Sequence, residues 1–266
     1  TGAGQGIGRA IAERMAALGA RVAVGDLNAG AAERTAAAIG GSAHHLDVTD
    51  PESYATFLAE AQRAHGELAV LVNNAGIMPN GGFLDLSDTV TRATIEVNLF
   101  GVIHGMRLAL PGMLARGRGH IVNVASLAGK FPVKGLAVYN ASKFAVVGLS
   151  GATRLEYAPH GVSVSTVLPS AVDTALASGL DMRPIPKVTP ERIADAVAAT
   201  VRTRAAEVAV PGYVGRLATA ATLTPEPMLN AIRRLARDDR ALRPDSPERA
   251  AYRAVLDRDS TREDQQ

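Results

Sequence analysis

Eight residues at the start of the chain, TGAGQGIG, constrain the fold more than any other stretch. Glycines at Gly2, Gly6 and Gly8 stand directly ahead of the helical run RAIAERMAALG. A backbone without side chains at these points can pass close to an anion, and the helix behind it offers free amides and the positive end of its dipole. The spacing is G-x-x-x-G-x-G, which departs from the common dinucleotide fingerprint G-x-G-x-x-G and points to a narrower set of pyrophosphate-binding folds. A turn of this kind normally follows a buried strand. None precedes Thr1, so the expectation is a chain that starts part-way into its fold, with the first strand of the sheet missing.

Short apolar runs then alternate with helical patterns: RVAVGD, a helix to about Ile39, SAHHLDV, a helix from about Ser53 to Ala64, and LAVLVNNAG. The rhythm continues with GHIVNVAS, GVSVSTVLP and EVAVP, and it predicts a parallel sheet. These strands are apolar on both faces, as expected when helices cover each side, so the predicted class is α/β and doubly wound. Two long helices are expected, roughly Thr89 to Arg116 and Tyr139 to Ala158. The small residues in VVGLSGATRLE suit close helix-to-helix assembly. Residues 81–87 and 171–189 read as loops, and the second carries Leu176, Leu180, Met182, Pro184, Ile185 and Pro186, as a mobile apolar lid would. With 47% apolar residues in 266, one domain is expected over residues 1–224, followed by a charged helical extension over 225–266.

Several function classes drop out. The chain has no cysteine, which excludes disulfides, thiolate catalysis and thiolate metal sites and fits a reducing compartment, so the cytoplasm is the expected location. The pI near 9 at a net charge of +2 reflects an excess of arginine over lysine, not a concentrated field, and nucleic acid is not an expected partner. The six histidines are dispersed along the sequence, so no metal site is expected. The most apolar stretch, IEVNLFGVIHGMRLALPGML, contains Glu96, His104 and Arg107 and is not expected to span a membrane. A leader sequence stays open.

Three positions carry chemistry on their own terms. Asp26 ends the second strand eighteen residues after Gly8, where a carboxylate can accept from adenosine ribose hydroxyls and would repel a 2′-phosphate. Neither Leu27 nor Asn28 is basic and Gln5 occupies the glycine turn, so NAD is favoured over NADP; the plainer alternative makes Asp26 a helix N-cap. Tyr139 and Lys143, in YNASK, lie four apart at a helix start, on one face. Bringing a phenol from about 10 to about 7 takes about 4 kcal/mol, which a neighbouring ammonium and an oxidised nicotinamide in a partly dry site can supply. Tyr139 would then exchange protons near neutrality. Ser126 ends the strand HIVNVAS at the carboxyl edge of the sheet, where its hydroxyl can hold a substrate oxygen; its plainer role is a cap or turn residue.

Taken in order and at these intervals, TGAGQGIG, NNAG at Asn73 to Gly76, Asn98 in EVNLFG, Ser126 and YNASK resemble the short-chain dehydrogenase/reductase family from Thr1 to about Pro211. The resemblance implies a Rossmann-type sheet in the order 3-2-1-4-5-6-7. It also implies hydride transfer between a nicotinamide and a carbinol carbon, with Tyr139 as general acid or base. Lys143 would hold the nicotinamide ribose and lower the Tyr139 pKa, Ser126 would fix the substrate oxygen, and Asn98 would keep a water in a proton relay behind Lys143. Gly2, Gln5, Gly6, Ile7 and Gly8 would form the cofactor turn with Asp26 and Leu27. Asp47 and Val48, in LDVTD, match the family's adenine-binding pair. Asn74, Ala75 and Gly76 would line the adenosine side and steady the central strand, although Asn73 to Gly76 could equally be a plain turn. Pro169, Val172 and Thr174 would meet the carboxamide. Ser170 replaces the family's usual glycine and puts the local backbone in question.

Met78, Pro79, Phe83, Phe131, Pro132 and the lid point to an apolar pocket for a lipophilic secondary alcohol or ketone, against the plainer reading of core filling. The resemblance further implies a homodimer or homotetramer built on the two long helices. In the extension, PMLNAIRRLARDDRALR sets Met228, Ile232 and Leu235 on one stripe among arginines. A docked, solvated helix is favoured there over contact with an anionic membrane surface, because Asp238 and Asp239 dilute the positive face. Two rival functions remain: an NADPH-linked carbonyl reductase, and a non-catalytic nucleotide-sensing scaffold of the same fold.

Overall fold

The computed structural model describes residues 1–177 and 187–222, together with 224, 225 and 227. Strands and helices alternate. Helix α1 (Gly6–Ala17) leads to β1 (Ala23–Asp26), α2 (Ala29–Ile39), β2 (Ser42–His45), α3 (Pro51–His65) and β3 (Val70–Asn73). Then come α4 (Asp88–Ile95), α5 (Gly101–Ala115), β4 (Gly119–Val124), α6 (Ala137–Tyr157), β5 (Val162–Pro169), α7 (Pro190–Thr203), β6 (Glu207–Val210) and α8 (Gly212–Thr222). Local chemistry sets many of the ends. Asn28 caps α2 by accepting from the Ala31 amide at 3.0 Å, and Gly40 closes it in the left-handed region at φ 65°. Asp50 caps α3 ahead of Pro51, whose missing N–H costs nothing in a first turn.

All strand pairs are parallel, in two blocks: β1 with β2, and β3-β4-β5-β6. The glycine turn joins them. The Thr1 ammonium donates to the Val72 carbonyl at 3.0 Å, and the Ala3 amide donates to the Gly25 carbonyl at 3.2 Å. The order agrees with a doubly wound sheet. β4 is buried along its whole length, and its successive side chains enter opposite cores. Ile121 packs with Tyr54, Leu71, Met113 and Val164 under α3, α5 and α6, whereas Val122 packs with Ile11, Val167, Ile193 and Val197 under α1 and α7.

A buried polar chain ties one core together. The Tyr54 hydroxyl donates to Asn73 Oδ1 at 2.6 Å, Asn73 Nδ2 donates to Asn123 Oδ1 at 2.9 Å, and Asn123 Nδ2 donates to Ser150 Oγ at 2.8 Å. This links α3, β3, β4 and α6, and with each member bonded the network rigidifies rather than destabilises. Asn73 is therefore the end of a strand and not a plain turn residue.

Three expectations change. The first long helix is interrupted by a π-helical turn at Glu96–Phe100, which joins α4 to α5. By length and composition alone the 28-residue rod Asp88–Ala115 is apolar enough to cross a membrane, contrary to the reading from Glu96, His104 and Arg107; in the fold it packs against α3, α6 and the sheet. Helix α8 was not foreseen. Of the lid, residues 178–186 lie outside the described residues, as does nearly all of the 225–266 extension; its base is fixed by a parallel bridge between Val172 and Val188.

Candidate active site

The carboxyl ends of the strands open on a cavity of about 1040 Å³. Every residue singled out from the sequence for cofactor contact or catalysis, save Asn98, lines it. Asn98 lies behind its wall.

On one side stands the glycine turn. Gly2 and Gly6 adopt φ of 60° and 54°, which side chains rarely tolerate, and a Cβ on Gly8 would run into the Gly2 carbonyl and to 2.6 Å of Asn74 Nδ2. α1 begins here without a side-chain cap from Gln5, so its leading amides face the cavity beside Ile7. Asp26 Oδ2 accepts from the Gly4 amide at 2.8 Å and Oδ1 from the Asn28 amide at 2.9 Å. The carboxylate is thereby aimed, and each oxygen keeps a lone pair for a ligand hydroxyl. Asn28, not Asp26, is the helix cap. Leu27 lies at the rim, more than half exposed. Asp47 Oδ1 accepts from the amide and hydroxyl of Thr49 at 2.8 and 2.7 Å, which holds the Asp47–Val48 segment against the cavity. Asn74 Nδ2 donates to the carbonyls of Thr1 and Gly2 at 3.0 and 3.2 Å, while the Thr1 hydroxyl oxygen accepts from the Asn74 and Ala75 amides. NNAG thus braces the glycine turn.

The opposite wall holds the proton-transfer candidates. Tyr139 and Lys143 project from the first turns of α6, both buried, with Nζ 5.7 Å from the phenol ring centroid. Burial pushes the Lys143 ammonium down to about 8 from 10.5, because water no longer solvates the charge. It donates to the Val124 carbonyl at 3.3 Å. Ser126 does what its plainer reading says and more: its Oγ accepts from the Ala128 amide at 3.1 Å, capping a short 3-10 turn, while the side chain also lines the cavity. Since Oγ accepts that bond, its own proton remains to donate.

Asn98 is fully buried and sits on the π-helical turn. Its Oδ1 accepts from the Ile77 amide at 2.9 Å, and Nδ2 donates to the Ile77 carbonyl at 2.9 Å and to Ser142 Oγ at 3.1 Å. Both ends of the amide take part in clamping the strand exit to α6, and Oδ1 keeps a second lone pair. A Cβ on Gly76 would stand 3.0 Å from Asn98 Oδ1 and 3.5 Å from Lys143 Nζ, so a side chain there would press on the Asn98 amide.

Pro169, Val172 and Thr174 line the cavity together with Ser170. Among the described residues Arg204 is the one non-glycine with positive φ, so Ser170 takes an ordinary backbone in place of glycine, and the local geometry is intact. On the substrate side Met78, Phe131 and Leu176 line the wall as expected, whereas Pro79, Phe83 and Pro132 do not, and Phe83 is largely exposed. Sequence reasoning missed Val133, Leu136 and, above all, Val214, Leu217 and Ala218 of α8. A spaced apolar set in GYVGRLATAAT was the available signal. Asn140 was missed too: its Nδ2 donates to the Ala128 and Phe131 carbonyls at 2.9 and 3.2 Å and pins the loop after Ser126.

A parallel doubly wound sheet with a glycine turn, an aimed carboxylate and a buried Tyr–Lys pair on one cavity defines a nucleotide-dependent oxidoreductase. The family profile described as short chain dehydrogenase matches residues 1–183, and the chain belongs to the short-chain dehydrogenase family. It is similar to a 2,5-dichloro-2,5-cyclohexadiene-1,4-diol dehydrogenase of Sphingobium indicum, 39% identical over 185 residues that make up 68% of this chain and 74% of the relative. A trans-4-hydroxycyclohexanecarboxylate dehydrogenase of Sinomonas cyclohexanicum is 37% identical over 68% of this chain and 73% of its own. A 3-alpha-(or 20-beta)-hydroxysteroid dehydrogenase of Mycobacterium tuberculosis is 37% identical over 66% and 68%. The protein is accordingly an oxidoreductase acting on CH–OH groups of a small molecule, in a family that uses NAD(P).

Proposed function

We propose that the protein is an NAD-dependent dehydrogenase that interconverts a bulky apolar secondary alcohol and its ketone, with Tyr139 as general acid and base. The carrying observation is the Lys143 ammonium, buried against the Tyr139 ring on the cavity that also holds the glycine turn. The uncapped start of α1 and the carboxylate of Asp26 fit a dinucleotide, whose nicotinamide supplies the hydride acceptor or donor. For the alcohol direction, Tyr139 takes the hydroxyl proton, and for the ketone direction it returns it. Lys143 stabilises the phenolate by charge and can hold a ribose hydroxyl with its remaining N–H groups. Ser126 donates its proton to the substrate oxygen and so fixes it beside the phenol. Asn98 acts through its clamp on Ile77 and Ser142, and the second lone pair of its Oδ1 can hold a water behind Lys143.

Asp26 favours NAD because a 2′-phosphate would meet a carboxylate already aimed by two amides. An apolar alicyclic substrate is supported by the wall of Met78, Leu136, Leu176, Val214 and Leu217, and by relatives named for cyclohexane and steroid substrates. Assembly as a homodimer or homotetramer on α5 and α6 is supported by exposed Phe100, Leu108, Phe144 and Leu155 and by open space over Gly148 and Gly151. A cysteine-free chain is in keeping with the cytoplasm.

The test is Tyr139→Phe. Turnover of an alicyclic alcohol panel should fall by on the order of 10²- to 10⁴-fold while NADH fluorescence titration stays unchanged. Retained turnover rejects the reading. Tighter binding of NADPH than NADH rejects the cofactor assignment, and a monomer by light scattering rejects the assembly.

A further inference from the structure

Away from the cavity, four side chains on β2 and α3 converge. Ser42 Oγ lies 2.8 Å from His44 Nε2 and 2.9 Å from His65 Nε2, and His44 Nδ1 lies 2.9 Å from Glu60 Oε2. We propose that this cluster binds a divalent transition-metal ion through Nε2 of His44 and Nε2 of His65, with the Ser42 hydroxyl as third donor and Glu60 orienting His44.

The proton assignment prepares His44 for this role. A carboxylate has no proton to give, so His44 Nδ1 carries the hydrogen toward Glu60, and in the neutral ring Nε2 keeps its lone pair on the side of Ser42 Oγ. A carboxylate behind an imidazole is the arrangement that fixes tautomer and ring orientation in metal-ligating histidines. The ring is held further by an edge-on contact with Phe57 at 5.4 Å, and the His44 side chain is only 8% exposed. His65, in the last turn of α3 and half-buried, need only shift its proton to Nδ1 to offer the second nitrogen.

The spacing is compatible with a right-angled ion. Two donors at about 2.0–2.1 Å from a metal and at right angles to each other stand about 2.9 Å apart. Each nitrogen lies at hydrogen-bond distance from Ser42 Oγ, which is close to that separation. Right angles belong to tetragonal and octahedral ions, copper(II) and nickel(II) foremost. Among the described residues no three His, Cys, Asp or Glu side chains surround one point, so the remaining positions fall to water and the ion exchanges. The alternative use of a Ser–His–Glu relay, nucleophilic hydrolysis, lacks oxyanion donors: the Ser42 amide is spent on the Val22 carbonyl and the Gly41 amide on the Ala36 carbonyl. None of the four residues lines the active-site cavity. The ion therefore clamps the edge strand to α3 and acts on stability, not turnover.

The experiment uses the full chain without a histidine tag, stripped with chelator and titrated with Cu²⁺ alone. One ion per chain is expected, with two-nitrogen superhyperfine splitting in the electron paramagnetic resonance spectrum and a melting temperature that climbs with added Cu²⁺. His65→Gln should lose both signals while melting normally without metal. His45, His104, His120 and His160 remain in that variant, so the loss isolates the pair. Glu60→Gln should weaken binding about 10- to 100-fold. Undiminished binding by His65→Gln, a spectrum without two coupled nitrogens, or no binding at all overturns the proposal.

Discussion

Strand β4 has a buried base at each end. Near its carboxyl end Lys143 reaches the Val124 carbonyl, and near its amino end His120 is fully buried. Burial pushes both down, Lys143 to about 8 and His120 to about 4, the latter helped by the charges of Arg204 and Arg154. The surroundings differ. His120 has a hydroxyl on each ring nitrogen, Ser163 Oγ at 2.8 Å and Thr200 Oγ1 at 3.0 Å, and lines no part of the cavity. Lys143 faces about 1040 Å³ of open volume beside a phenol. A perturbed base sealed by partners reads as a structural plug, and the same perturbation beside an open cavity marks a candidate working group.

The largest test of that contrast exchanges the two. Lys143→Met should lower kcat by on the order of 10²- to 10³-fold yet leave the fold intact, and its thermal midpoint should be equal or higher because a desolvated charge is gone. His120→Gln should keep its kcat and lose about 1–3 kcal/mol in urea titration, since Ser163 and Thr200 lose partners. If His120→Gln abolished turnover with stability unchanged, the contrast would collapse.

Titration sharpens it next. An unfolded chain protonates His120 from about 6.5, whereas the folded one resists to about 4, so stability should drop as pH falls through that window, by up to about 3 kcal/mol. His120→Gln should flatten the drop in chemical denaturation run from pH 7 to 4. For Lys143 the sign is the same but the window higher: the unfolded lysine holds its proton to 10.5, the folded one loses it near 8, and stability gains as pH rises between them. Turnover should fall over that interval, because the cation proposed to activate Tyr139 disappears. A flat rate profile from pH 8 to 10 would count against Lys143 as the activator.

Smaller effects come from the cofactor and substrate walls. Asp26→Ser should shift the NADH-to-NADPH preference toward NADPH by on the order of tenfold, which is about 1.4 kcal/mol, measured by fluorescence titration. Leu217→Ala should raise KM for a bulky alicyclic alcohol a few-fold with little change in kcat, as expected for one truncated apolar contact. No change in KM would remove α8 from the substrate wall.

The legible parts were those where local sequence and global fold agree. β4 announced itself as a continuous apolar run because both its faces are covered, and the Tyr139–Lys143 pair could be placed because a four-residue interval fixes one helical face. The glycine turn was readable because Gly8 has no room for a side chain. What stayed hidden depends on tertiary approach. Asn98 was singled out only through the family resemblance, and its clamp on the Ile77 peptide depends on the π-helical turn that carries it. His44 and His65 are far apart in sequence, and only the packing of α3 on β2 brings them to one hydroxyl. α8 has a weak apolar pattern whose meaning comes from the cavity beneath it.

The line of side chains from Tyr54 through Asn73 and Asn123 to Ser150 has an evolutionary corollary. Altering one link strands a donor or acceptor in a dry interior, so tolerated changes must arrive as matched sets whose effects do not add. The helix that carries Tyr139 and Lys143 thus inherits its placement from a tyrosine on another helix of the same layer, and drift in either helix is held in check by the other.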